Sequence, residues 1–135
     1  MQKIISAILC ISMLWLLTGC SAEKMNTEKL RDIAFTVVPE DDIPEELEEM
    51  IEDKEGDMFK LTFADKGDLY IAVGYGTQKT SGYCIEVKEL YETKNAIIIH
   101  TNLIGPSNEE KIVERETEPY IVVKMEFVDK NVVFE

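Results

Sequence analysis

The run Gly74-Tyr75-Gly76-Thr77-Gln78-Lys79-Thr80-Ser81-Gly82-Tyr83 sets three glycines around a Lys-Thr-Ser triplet, the composition of a loop that cradles phosphate. Phosphate chemistry there needs a glycine directly before the lysine and a helix after the hydroxyl residue, so that main-chain N–H groups and the helix dipole converge on the anion. Here Gln78 precedes Lys79, and an alternating, strand-like run follows Tyr83. Gly74-x-Gly76 is likewise too short for a dinucleotide fingerprint. The loop is therefore read as a strand-to-strand connection in which glycine supplies unusual backbone angles or close packing. Loops on a rigid sheet carry recognition more often than cores do, so this one is a candidate binding tip. Tyr75, Gly76, Thr80, Ser81, Gly82 and Tyr83 are the residues expected to meet a protein partner.

Other reactive constellations are missing. His100 is the single histidine, so no His pair can complete a zinc site, and its phase against Ile97, Ile99 and Leu103 sets it on a partly solvated face. Neither Ser81 nor Ser107 sits in a nucleophile-elbow sequence. Eleven carboxylates lie between Glu40 and Asp57, but a charge run at helical spacing reads as a solvated face, and none of it follows calcium-loop spacing. The expectation is a protein that is not an enzyme and that uses no metal or cofactor.

The N-terminus reads as an address. Lys3 is followed by the apolar run Ile4–Leu17 and then by Leu17-Thr18-Gly19-Cys20, the order of a secretory signal peptide. Ile4 to Thr18 is 15 residues, short of the roughly 20 that a membrane-crossing helix requires. Leu-Thr-Gly-Cys resembles a bacterial lipobox, which implies cleavage before Cys20 and a lipid on its thiol. Two acyl chains hold a protein on a bilayer where one binds reversibly. The chain thus divides into a signal peptide (1–19), a short tether (20–29) and one globular domain (30–135), placed on the cell membrane or the outer membrane, outside the cytoplasm. The dozen or so residues between Cys20 and Ile33 reach at most about 40 Å, which keeps the domain near its membrane.

Loss of Lys3 with the leader takes the net charge from −13 to −14. That balance disfavours nucleic acid and anionic headgroups and leaves proteins or cations as partners. Cys10 departs with the leader and Cys20 carries lipid, so Cys84 has no internal disulfide partner and is expected as a small buried hydrophobe.

Period-two runs supply the elements that hold the loop. Leu30–Val38 reads as a strand with Ile33, Phe35 and Val37 on one face. Pro44, Glu45 and Glu46 start a helix whose Leu47, Met50 and Ile51 form its apolar stripe and which stops near Gly56. Phe59–Phe63 and Leu69–Val73 form a hairpin across Asp65-Lys66-Gly67-Asp68. Runs near Tyr83–Val87, Ala96–Leu103, Ile121–Val128 and Val132–Phe134 complete seven short strands. This predicts an α+β domain, mainly antiparallel β-sheet in a sandwich or partly closed barrel, with one amphipathic helix.

The segment from about 68 to 127 resembles the PrcB C-terminal domain of bacterial lipoproteins. The residues that carry the likeness are the apolar strand ending in Gly74, the loop closing on Gly82-Tyr83, alternating Ile85 and Val87, the Gly105-Pro106 break, and Pro119-Tyr120-Ile121-Val122-Val123-Lys124. Many members carry Gly-Gly-Tyr where this chain has Ser81-Gly82-Tyr83, and a proline where it has Lys79. The resemblance implies a non-enzymatic lipoprotein that binds or stabilises a partner, of which a secreted or surface protease is the family's example. Thr80-Ser81-Gly82-Tyr83 is also similar to the loop by which chagasin-type inhibitors enter protease clefts, though the preceding Asn-Pro is absent. That gives an alternative function, protease inhibition through Gly74–Tyr83.

Overall fold

A computed structural model describes residues 28–108 and 111–135. The expected signal peptide, Cys20 and most of the tether lie outside the described residues. Strands β1 (Arg31–Asp32), β2 (Thr36–Val37), β3 (Met58–Asp65), β4 (Asp68–Tyr75), β5 (Cys84–Glu92), β6 (Ala96–Ile104), β7 (Tyr120–Glu126) and β8 (Asn131–Phe134) build two four-stranded sheets, ordered β1-β5-β6-β8 and β2-β7-β4-β3. A 3-10 turn (Glu40–Asp42) leads into helix α1 (Glu45–Glu52). The architecture is an α+β sandwich, mostly antiparallel, and not a closed barrel.

The sheet containing β4 is covered on both faces, and its sequence shows why. Leu69, Ile71 and Val73 on one face of β4 pack with Ile97, Ile99 and Val123 in the core between the sheets. Ala72 and Val122, on the reverse face, meet Leu47 and Ile51 of α1 in a second core. Small Ala72 admits the helix, and α1 contributes the apolar stripe expected of it. The β3–β4 hairpin turns through Lys66 (φ 51) and Gly67 (φ 82), both left-handed as a type I′ turn demands.

Four features depart from the expectation. The single strand over 30–38 is two, because the chain crosses between sheets: Arg31–Asp32 pairs with β5, and Thr36–Val37 with β7. Ile33 at the crossing is buried and its N–H donates to the Leu90 carbonyl, while Phe35 and Val37 are exposed. A bulge between Val87 and Glu89 resets the alternation of β5, so that Val87 and Leu90 both reach the core. After its short connection β8 leaves β7's sheet and lies parallel to β6. Cys84, expected inside, is exposed: it begins β5 on the side opposite Ile85 and Val87.

Candidate functional site

The glycine loop connects β4 to β5 and is fastened along its length to the segment preceding β7. Gln78 and Thr117 exchange two main-chain bonds, N to O, of 2.8 and 3.0 Å. Thr117 Oγ1 donates to the Thr80 carbonyl at 2.7 Å, the Ser81 N–H donates to the Val113 carbonyl, and the Val113 N–H donates to Ser81 Oγ at 2.9 Å. Thr80 and Ser81, expected at a partner, thus spend polar groups inside the chain. Gly76 is buried at φ 75, where a Cβ would come within 3.3 Å of the Met58 nitrogen, and Gly82 is exposed at φ 92. Tyr83 is half-buried, its ring beside Gly105. Tyr75 turns between the sheets, its hydroxyl 2.7 Å from Thr101 Oγ1. Of the six expected residues, Gly82 alone is exposed.

The same end of the sandwich carries two hollows, one on each side of the start of β3. The first, about 480 Å³, opens between the sheets and is lined by Met58, Lys60, Val73, Tyr75, Thr101 and Phe134. The second, about 400 Å³, opens towards α1. Phe59 and Tyr120 form its apolar floor, with ring centroids 6.2 Å apart and Ile51 beside them. Phe59 is held down by Gly74, where an added Cβ would meet the ring at 2.2 Å.

Glu40, Glu48, Glu52, Glu55, Asp57 and Glu118 line this second hollow, with Lys54 the one cation among its lining residues. Their shared field is felt at the Tyr120 phenol, whose pKa is raised by burial first and then by Glu40, Glu48 and Glu52. Among the described residues the ion pairs lie elsewhere: Lys29 with Asp32 and Glu89, and Arg31 and Lys130 with Glu92. No group of three or more His, Cys, Asp or Glu among the described residues is arranged to hold a metal ion.

Sequence reasoning found the acidic run but read it as solvated helix surface. It missed the hollow, because Glu118, Pro119 and Tyr120, which close it, lie more than 60 residues beyond α1 in the chain. Of the expected site residues, Tyr75 lines the first hollow and Gly76 the second.

No curated protein and no solved structure matches the chain. Residues 69–126 match the family model described as PrcB C-terminal. That stretch holds β4, the glycine loop, β5, β6, the strap that fastens the loop, and β7, so it comprises the central strands of both sheets. Through this segment, a little under half of its length, the chain is similar to the PrcB C-terminal family.

Proposed function

We propose that the protein is a non-catalytic accessory lipoprotein that binds and stabilises a partner protein outside the cytoplasm, the partner being a secreted or surface protease. The observation that carries this reading is the PrcB C-terminal segment at residues 69–126. The family's name belongs to a protease-complex accessory subunit, and the lipobox-like Leu17-Thr18-Gly19-Cys20 supplies an anchor that would keep such a complex on a membrane. An acidic surface suits a basic partner patch, because opposite potentials steer encounter and fix register.

The test is chemical crosslinking followed by affinity capture of the lipidated chain from its own membranes, beside a Tyr83→Ala variant checked for folding. Recovery of a protease with the wild type, and its loss with Tyr83→Ala, supports the accessory reading with the glycine loop at the contact. Equal recovery keeps the reading and removes the loop. Recovery of no protein partner contradicts it. Purified domain titrated into cysteine and serine proteases separates the alternative: dose-dependent inhibition would assign the chain to the inhibitors.

A further inference from the structure

We infer that the start of β3 is the docking edge for an extended segment of the partner, one that alternates an apolar residue with a basic one. This inference rests on the accessory reading and names the chemistry of its contact.

The edge comes first. β3 pairs with β4 alone, so along eight residues its other side carries main-chain N–H and C=O groups that no neighbouring strand takes up. Among the described residues none of the non-ladder main-chain bonds involves Met58–Asp65 as donor or acceptor. Such an edge is satisfied by an added strand, the geometry of peptide recognition by β-augmentation. Met58, at the start of that edge, is 66% exposed, more than any other large apolar residue on the described surface.

The two hollows then choose the side chains. Successive residues of a strand point to opposite faces. A residue added beside Met58–Lys60 and directed between the sheets enters the hollow walled by Val73, Tyr75 and Phe134, which suits an apolar side chain. Its neighbour points the other way, over the Phe59 and Tyr120 rings and among Glu48, Glu52 and Glu118. A guanidinium or ammonium fits there by charge, with aromatic faces to lie against. Charge complementarity also argues against a second copy of this chain, since two copies would bring the same carboxylates together.

The probe is a short acetylated peptide alternating valine and arginine, titrated by fluorescence anisotropy against the full chain in detergent at low salt. Its controls are a valine–glutamate version and an arginine version N-methylated at consecutive amides, which leaves neither side of the strand able to pair with an edge. The arginine peptide should bind about tenfold or more tighter than either control. Glu48→Gln with Glu52→Gln should weaken it several-fold, and hydrogen exchange should show new protection over Met58–Phe63 and none at Lys94. The inference is overturned if the arginine peptide does not bind at ~1 mM, if N-methylation makes no difference, or if the double variant binds as the wild type does. It is also overturned if sedimentation shows the edge already taken by a second copy. If crosslinking captures the protease undiminished with the double variant, this edge is wrong while the accessory reading stands.

Discussion

The two ends of the sandwich treat charge in opposite ways. At the β5–β6 turn the Glu92 carboxylate and the Thr93 hydroxyl are both engaged. Glu92 accepts from Arg31 Nε at 2.6 Å and from Lys130 Nζ at 2.5 Å, and Lys130 also donates to the Thr93 carbonyl. Thr93, buried, takes the Ala96 N–H on its hydroxyl at 3.0 Å. At the other end, Glu40, Glu48, Glu52, Glu55 and Asp57 crowd a hollow with one lysine among its lining, and the edge of β3 is left open. An engaged end of this kind holds a fold together. The crowded end costs stability through repulsion that a basic partner would relieve, which is the signature of an interface.

The difference can be broken most severely through Leu47, which is fully buried and ties α1 to the sheet. Leu47→Ala should cost about 2–5 kcal/mol in urea denaturation. Hydrogen exchange should rise first along α1 and β3, with the Glu92 turn protected until global unfolding. Uniform loss of protection would mean that the two ends are one cooperative unit.

A smaller effect should come from Glu92. Its carboxyl is held below the usual range by the Lys130 hydrogen bond first and by Arg31 second. A lowered folded-state pKa contributes stability that is fully present above the unfolded value of about 4.3 and is lost as pH falls through the folded value. Glu92→Gln should therefore melt below the wild type at neutral pH, and the gap should close as pH drops below about 4. A gap constant with pH would show that the pairing contributes nothing through charge.

The smallest effect should have the opposite sign. Glu48→Gln with Glu52→Gln removes like charge from the crowded hollow, so the melting temperature should rise slightly at low salt, with the gain vanishing near 1 M salt, where screening is about 3 Å. A fall in melting temperature would mean that these carboxylates stabilise the fold instead.

Much of this architecture was legible because period is a local property. The amphipathic helix that follows Pro44, which ends at Glu52 and not near Gly56, the Lys66-Gly67 hairpin and the inward set Leu69, Ile71 and Val73 all follow from helical period, alternation and turn chemistry within a dozen residues. What escaped was set by distant partners. The crossing at Ile33 depends on which sheets receive its two sides, the bulge near Lys88 on the register against β6, and the parallel seat of β8 on an edge that β6 offers. The glycine loop was singled out correctly as unusual, yet the reason lies in a strap at Val113–Thr117 more than 30 residues away. The acidic run was visible as charge, but only folding sets it around Phe59 and Tyr120.

The most direct measurement is a pair of site-specific photo-crosslinkers in the lipidated chain, one at Met58 beside the open edge and one at Lys94 at the engaged turn, both exposed. Irradiated in its own membranes, the Met58 derivative should yield a protein adduct that high salt suppresses, and the Lys94 derivative none. An adduct at Lys94 with none at Met58 would contradict the assignment of the open, acidic end as the interface.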